Sequence, residues 1–363
     1  MGGKAILTTF RSGSSGCSKF AQTPPPWGGL GGDIPDAIFS PSFLSGFFIT
    51  VNAQQLACVV HEFKQPAKFT ISLVSGAHPS FDQESMSSAD LMMNSIEFAA
   101  SFAPRPGITH VLFDFDGTIS LIREGWPEVM VPMFVEMLPP RAGETDAERR
   151  QLMLDDIMRL NGKQTIYQMI QLADRIAERG GTPREPLWYK KEYLRRLDER
   201  IHGRLDAIRS GQASREQFLV HGSRALLENL QQRGLELYLA SGTDEMYVKQ
   251  EAELLDVTRY FGEHIYGAKD DYKTFSKKMV IERILRENQI QGAHLLAFGD
   301  GYVEIENTKE AGGLAIAVAS DEAHNGSGRV DAWKRERLLG VGAHAVIPDY
   351  RDANLLLERI FLK

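Results

Sequence analysis

The chain has 363 residues, of which 43% are apolar and 25% charged, and its formal net charge is −7. This length allows about two domains and a full hydrophobic core without disulfides. The negative charge argues against a nucleic-acid-binding surface as the main function. The two cysteines, Cys17 and Cys58, exclude a disulfide framework or a Cys-type zinc site and favour a cytoplasmic protein.

The first part of the chain differs in composition from the rest. Residues 1–107 contain 13 charged residues and residues 108–363 contain 76. Residues 1–35 are rich in Gly, Ser and Pro, which is typical of linkers and disordered segments. Residues 37–75 have short apolar runs that suit two or three strands or an unstructured stretch. The most apolar stretch, residues 37–60, is interrupted by Pro41 and by polar residues too often for a membrane span. We therefore set residues 1–107 apart as a largely disordered segment or a small extra element, with a true start at Met86, Met92 or Met93 as an alternative.

From residue 108 onward, short apolar runs alternate with helical patterns. The predicted strands are Thr109–Phe113, Leu235–Ala240, His264–Tyr266, Leu295–Phe298, Leu314–Val318 and Ala345–Ile347. The predicted helices between them include Ser223–Arg233, Asp244–Leu255 and Lys277–Asn288. This alternation predicts an α/β fold whose parallel sheet is covered on both faces. Ligands bind such sheets beyond the carboxyl ends of the strands.

A long insert, residues 126–221, separates the first predicted strand from the second. It lacks strand-like runs, and residues 144–160, 165–179 and 187–201 have the periodicity of amphipathic helices. We expect an all-helical insert that acts as a lid over the ligand end of the sheet. The core would then consist of residues 108–125 and 222–363.

Polar motifs follow the predicted strands. Asp114 and Asp116 come directly after the first strand, and Ser241 opens a Ser-Gly-Thr-Asp turn after the second. Asp300 and Glu304 follow the strand at 295–298, a pattern that suits a hard cation bound by oxygen atoms. Each motif has an ordinary alternative as a turn or helix cap. Their occurrence in order, each at a strand end, favours one shared site.

With a lysine at the start of the helix 277–288, this set of motifs resembles the haloacid dehalogenase superfamily of phosphohydrolases. The helical insert resembles the C1-type cap of phosphoglycolate phosphatase and β-phosphoglucomutase relatives. The resemblance extends over residues 108–363. It implies a Rossmann-like doubly wound parallel sheet with an inserted all-helical cap domain.

The resemblance also implies roles for the acidic residues. Asp114 would be the nucleophile that forms an aspartyl phosphate, and Asp116 the general acid and then the general base. Mg²⁺ would be held by Asp114, by Asp300 and by the main-chain carbonyl of Asp116. Glu304 stands where many relatives have Asp, and would act as an outer ligand through water.

Further residues would bind the phosphoryl group and the rest of the substrate. The phosphate-binding candidates are Ser241, Gly242, Thr243 and Thr118. Lys277 is the preferred lysine, because the residues three, four and seven positions on are apolar as in the family; Lys278 and Lys273 are the alternatives. Arg123 and Lys163 are candidates for substrate selection, with ordinary surface charges as the alternative. The loop 321–328 would contact the substrate or simply be loose.

The sequence thus predicts a cytoplasmic, Mg²⁺-dependent phosphatase of a small phosphorylated metabolite, with no nucleic-acid or membrane partner. A second acid at Asp116 disfavours a dehalogenase, because the resemblance implies that true haloacid dehalogenases lack it. A sugar phosphomutase using the same residues and a catalytically idle binding or regulatory protein are the alternatives. The substrate and the oligomeric state remain open at this point.

Overall fold

The computed structural model describes residues 95–363, and the predictions for residues 37–75 and for a start at Met86, Met92 or Met93 lie outside them. Seven strands form one sheet in the order β1-β7-β6-β5-β2-β3-β4, in which only β1 is antiparallel to its neighbour. The strands are β1 (Glu97–Phe98), β2 (His110–Phe113), β3 (Glu236–Asp244), β4 (Ile265–Ala268), β5 (Leu295–Gly299), β6 (Leu314–Val318) and β7 (Ala345–Ile347). The α/β fold class expected from the sequence is confirmed.

Eleven α-helices accompany the sheet in the described part of the chain. They are α1 (Pro127–Met137), α2 (Asp146–Arg159), α3 (Thr165–Glu178), α4 (Pro186–Arg209), α5 (Ser223–Gln232), α6 (Glu245–Leu254), α7 (Thr258–Phe261), α8 (Lys277–Glu287), α9 (Tyr302–Glu310), α10 (Ala332–Gly340) and α11 (Ala353–Ile360). Among residues 95–363, none of these helices combines the length and apolarity that a membrane crossing requires.

Successive side chains along the strands point to opposite faces of the sheet, and each face is covered by its own hydrophobic core. Val111 and Phe113 of β2 lie in a core with apolar residues of α5, α6 and α11, on one face of the sheet. Leu112, between them, lies in a core with apolar residues of α8 on the other face. Ala315 and Ala317 of β6 extend this second face toward α9 and α10. Both faces of the sheet are therefore covered, as a parallel sheet requires.

Strand β2 lies at the point where the strand order reverses, because β3 and β5 pair with it from opposite sides. Phe113 is in register with Leu239 of β3 and with Phe298 of β5. The residues that follow these three positions therefore emerge side by side at the carboxyl edge of the sheet. Such a reversal opens a crevice in which ligands bind.

The edge strand β1 lies in the segment that the sequence analysis set apart from the core. Glu97 and Phe98 pair with Val346 and Ala345 of β7. The Glu97 carboxylate also forms an ion pair with Arg335 of α10. A strand of two residues is too short to show an alternating pattern in the sequence. Its pairing partners lie about 250 positions further along the chain.

The segment between β2 and β3 contains α1–α4. Helix α1 packs against α2 and α4, and α3 packs against α4. Helix α2 begins with a reciprocal capping box between Thr145 and Glu148. The sequence does not predict helix α1, because Pro132 lies in its interior and a proline normally argues against a helix.

Two connecting segments, one before α1 and one after α4, join this helical segment to the core, and they hydrogen-bond to each other. Leu121 donates to the carbonyl of Phe218, and Val220 donates to the carbonyl of Ile119. Arg204 of α4 donates to the carbonyl oxygens of Ile122 at 2.8 Å and Glu124 at 2.9 Å. These hydrogen bonds therefore hold the two connecting segments together directly beside the carboxyl end of β2.

The entry to β5 depends on a close main-chain crossing at Gly292. A Cβ atom built on Gly292 would lie 1.6 Å from the carbonyl oxygen of Ala311. We expect Gly292→Ala to lower the free energy of unfolding by about 2–3 kcal/mol, because the two chain segments must separate to admit the methyl group. Chemical denaturation followed by circular dichroism measures the change.

Gly203→Ala is the matched control, since Gly203 is exposed within α4 and a Cβ there meets no atom within 4 Å. This change should raise the free energy of unfolding by about 0.5–1 kcal/mol, because alanine loses less backbone freedom on folding. An equal loss of stability in both variants would show that the crossing at Gly292 is not tight.

Candidate active site

A cleft of about 80 Å³ lies between the carboxyl edge of the sheet and the helical insert. The core contributes the residues after β2, the end of β3 and the residues after β5. The insert contributes residues from α1, α3 and α4 and from the turn between α2 and α3. The polar lining residues include Asp114, Asp116, Arg123, Asn161, Lys163, Gln168, Tyr193, Ser241, Thr243, Lys277, Asp300 and Glu322.

Three buried carboxylates meet at the core side of this cleft. Asp114, Asp300 and Glu304 each offer an oxygen atom, and these atoms lie within 4.8 Å of one another. Lys277 lies between two of them, with its Nζ 2.8 Å from Asp114 Oδ1 and 2.8 Å from Glu304 Oε2. Burial by itself lowers the pKa of Lys277, but the two carboxylates outweigh it and raise the pKa above its usual value.

The position of Lys277 follows from the helix that carries it. Ser276 caps α8 by accepting a hydrogen bond from the amide of Met279, and Val280, Ile281 and Ile284 are buried against the sheet. Lys277 is on the same buried side and points into the carboxylate cluster. Lys278 instead forms an exposed ion pair with Glu310, and Lys273 lies over the ring of Tyr272. Of the three candidate lysines, Lys277 is therefore the one that the structure brings to the cleft.

The three carboxylates fit a hard divalent cation. Their donor atoms are all oxygens, which are the ligands that Mg²⁺ prefers. Glu304 uses Oε1 to accept a hydrogen bond from the Gly301 amide at 2.6 Å, while Oε2 binds Lys277. Both oxygens of Glu304 are thus engaged by the protein, which suits an outer rather than a direct ligand. Asp114 and Asp300 are the carboxylates better disposed for direct contact.

Asp116 lies apart from this cluster and has a different environment. Its Oδ2 accepts hydrogen bonds from Thr243 Oγ1 at 2.8 Å and Ser241 Oγ at 3.3 Å. Its Oδ1 is buried without a hydrogen-bond partner, with Arg123 Nε 3.9 Å away. Burial raises the pKa of Asp116 to about 6, and Arg123 only partly opposes the shift.

Ser241, Gly242 and Thr243 form a bulge in β3 rather than the opening of a helix. Three residues separate Ala240 from Asp244 on β3, while Gly267 alone separates their partners on β4. Helix α6 begins at Glu245, one residue after the predicted start, and the turn predicted for Ser-Gly-Thr-Asp is corrected to a part of the strand. Ser241 Oγ accepts a hydrogen bond from the Thr243 amide at 3.0 Å, so one of the expected phosphate-binding N–H groups is used within the bulge.

Three of the predicted binding residues lie differently from the expectation. Thr118 is fully buried behind the cleft, where its hydroxyl accepts a hydrogen bond from the Asp300 amide at 3.0 Å. Arg123 lines the cleft, but its guanidinium is engaged with Glu251 of α6, with Nη2 to Oε1 at 2.6 Å. Lys163 reaches the cleft beside Gly242 with its carbonyl, and its ammonium is 5.7 Å from the ring centroid of Tyr167.

The structure also brings in residues that the sequence analysis missed. Lys334 is buried beside Asp300 and contacts the half-buried Glu322, and Tyr193 of α4 and Trp126 line the insert side of the cleft. The loop 321–328, which is expected to contact the substrate or to be loose, contributes Glu322 to the cleft. Lys334 had no sequence signal, because a single lysine in an amphipathic helix is usually a surface residue.

One family model and several solved structures are similar to parts of this chain. Residues 108–312 match the family model of haloacid dehalogenase-like hydrolases. No curated protein matches the chain. Similar solved structures include a predicted phosphoglycolate phosphatase of Haemophilus somnus (12% identity, TM-score 0.46, 69% of this chain and 98% of that chain) and a predicted phosphatase of Clostridium acetobutylicum (17% identity, TM-score 0.45, 69% and 99%). A hydrolase of Pseudomonas syringae is similar at 19% identity with a TM-score of 0.43, over 69% and 99% of the two chains.

Lys277 should contribute strongly to stability because it is the only cation in contact with Asp114 and Glu304 among residues 95–363. Lys277→Met leaves two buried carboxylates without their partner, and we expect the free energy of unfolding to fall by about 3 kcal/mol or more. Lys278→Met removes the same charge from an exposed pair and should cost less than about 1 kcal/mol. Urea unfolding of both variants at pH 7 compares them, and equal effects would contradict the buried position of Lys277.

Proposed function

The chain belongs to the haloacid dehalogenase-like hydrolases, and from that premise we propose that it is a Mg²⁺-dependent phosphatase of a small phosphorylated metabolite. The observation that carries the proposal is the contrast between two carboxylates two residues apart. Asp114 contacts the ammonium of Lys277, whereas the half-buried Asp116 accepts hydrogen bonds from hydroxyl groups and has one buried oxygen without a hydrogen-bond partner. Two neighbouring acids in such different environments suit a nucleophile and a proton donor.

Asp114 is the proposed nucleophile. Its Oδ1 accepts hydrogen bonds from the Phe115 amide and from Lys277, each at 2.8 Å, and this leaves Oδ2 for attack on phosphorus. Burial raises the pKa of Asp114, and Lys277 opposes the shift by favouring the anion that attack requires. A new Asp114 Oδ2–phosphorus bond forms as the ester oxygen departs, which gives an aspartyl phosphate.

Asp116 is the proposed general acid and base. A pKa of about 6 lets part of the population carry a proton near neutral pH, and the unpartnered Oδ1 is available to hold it. The proton passes to the departing ester oxygen. The resulting carboxylate then accepts a proton from water as the water oxygen attacks phosphorus, which releases phosphate and regenerates Asp114.

The remaining core residues neutralise and orient the phosphoryl group. Ser241, Gly242 and Thr243 line the cleft together with Lys277, and the two hydroxyls can exchange their hydrogen bonds to Asp116 for hydrogen bonds to phosphoryl oxygens. Asp114 and Asp300 would hold Mg²⁺, with Glu304 as an outer ligand. When bound, the cation supplies positive charge that offsets the repulsion between the phosphate dianion and the carboxylate nucleophile.

The helical insert is the proposed lid and the source of substrate selection. A Cβ atom on Gly242 would lie 2.5 Å from the Lys163 carbonyl oxygen, and one on Gly301 would lie 2.8 Å from Gly162 Cα. The turn between α2 and α3 thus touches the loops that carry the core residues. The cleft of about 80 Å³ is smaller than ordinary ligand pockets of ~300–1,000 Å³. We therefore expect the insert to move outward to admit a metabolite and to exclude water when it closes.

The first test is hydrolysis of nitrophenyl phosphate with Mg²⁺ or with a chelator. Asp114→Asn should reduce Mg²⁺-dependent turnover by at least about 10³-fold, because the amide cannot form the phosphoenzyme. Asp155→Asn makes the same chemical change at an exposed position of α2 and should leave turnover within about 2-fold. Wild-type turnover that survives in Asp114→Asn would exclude Asp114 as the nucleophile.

A second test separates the two roles of Asp116. With nitrophenyl phosphate, whose leaving group needs no proton, Asp116→Asn should release about one equivalent of nitrophenolate per enzyme in a burst and then turn over slowly. With an alkyl phosphate, the same variant should show no burst and a rate about 10²–10⁴-fold below wild type, because the leaving alkoxide needs the proton. Rapid-quench kinetics measure both. Similar behaviour toward the two esters would contradict the acid role.

A further inference from the structure

A second buried lysine contacts the candidate cation site, and neither the reaction steps above nor the motifs of the sequence use it. Lys334 is near the start of α10, where Asp331 caps the helix by accepting a hydrogen bond from the Lys334 amide. Its side chain is 9% exposed. A charged group so deeply buried is tolerated only when it is paired.

The ammonium of Lys334 has three polar contacts, all with residues in or beside the cleft. Its Nζ is 3.0 Å from Asp300 Oδ2 and 2.6 Å from Glu322 Oε1. It also donates to Ser320 Oγ at 3.2 Å, and that hydroxyl donates to the Gly117 carbonyl at 2.7 Å. Lys334 therefore joins the residue after β5 to the loop after β6 and, through Ser320, to the turn after β2.

Asp300 is thus held from two directions. Its amide donates to Thr118 Oγ1 at 3.0 Å, and its Oδ2 is bound by Lys334. With Oδ2 engaged, Oδ1 is the oxygen that remains for a cation beside Asp114. Partners of this kind orient a metal ligand, and their loss typically weakens metal binding by ~10–100-fold.

We propose that Lys334, supported by Glu322, is a positioning residue that holds Asp300 in the orientation required for Mg²⁺ binding. The inference rests on the metal site of the proposed function. It adds a residue outside the sequence motifs to that site and gives the half-buried Glu322 a role in holding Lys334 in place.

The sign of the effect distinguishes positioning from a simple change of charge. Removing a positive charge beside three carboxylates makes the local potential more negative, so charge alone predicts tighter Mg²⁺ binding. Loss of positioning predicts weaker binding. The two explanations therefore give opposite results for Lys334→Met.

The test is calorimetric titration of the full-length protein with Mg²⁺ alone, after circular dichroism has shown that each variant is folded. Lys334→Met should weaken Mg²⁺ binding by about 10–100-fold. Lys334→Arg can still donate to Asp300 and should recover most of the loss. Lys278→Met removes an exposed positive charge and should change affinity by less than about 2-fold.

The double variant Lys334→Met/Glu322→Gln restores the charge balance of the site without restoring the contact to Asp300. Its Mg²⁺ affinity should stay low, and it remains informative if Lys334→Met alone does not fold. Wild-type or tighter affinity in either variant would overturn the positioning role. Absence of Mg²⁺ binding by the wild type would instead refute the metal site itself, and with it this inference.

Discussion

The structure depends on pairing buried acids with buried lysines at one edge of the sheet. The buried Asp114, Asp300 and Glu304 converge there with the half-buried Glu322, and within the described chain Lys277 and Lys334 are the cations that contact them. An isolated buried carboxylate is costly, so the acids tolerate burial only because the lysines reach them. Both lysines come from helices that cover the same face of the sheet, α8 and α10. The packing of these helices therefore places the charges on which the proposed chemistry relies.

The other side of β2 has a second buried ion pair, and it serves a different part of the cleft. Arg123 follows β2 and binds Glu251 of α6, which leaves Arg123 Nε 3.9 Å from the unpartnered oxygen of Asp116. Glu251 offsets the charge of Arg123, so Arg123 lowers the pKa of Asp116 only in part and burial keeps it raised. The two acids after β2 thus differ because their neighbours differ: an ammonium group contacts Asp114, and hydroxyl groups contact Asp116.

The insert contacts this edge of the sheet in two ways: through glycines that allow close main-chain approach, and through an arginine that contacts the end of a helix of the insert. Gly162 and Gly242 allow main-chain contact between the insert and the core. Arg337, one turn after Lys334 on α10, donates to the carbonyl oxygens of Met158 and Arg159 at the end of α2. Unpaired carbonyls at a helix end are natural acceptors for such a cation. Helix α10 therefore contacts both the acidic cluster and the insert, which is the proposed lid.

The sequence by itself determined the alternation of strands and helices and the position of Asp114 and Asp300 after buried strands, because both follow from local periodicity. The preference for Lys277 came from the resemblance to the family, whose lysine is followed by apolar residues at the same spacing. It did not reveal α1, which contains Pro132, or the two-residue strand β1, since neither has a readable pattern. Only the tertiary structure decided that Thr118 holds Asp300, that Arg123 binds Glu251 and that Lys334 is buried. These contacts join residues 182 and 128 positions apart in the first two cases. Such pairings depend on how helices pack on the sheet, and no local pattern encodes them.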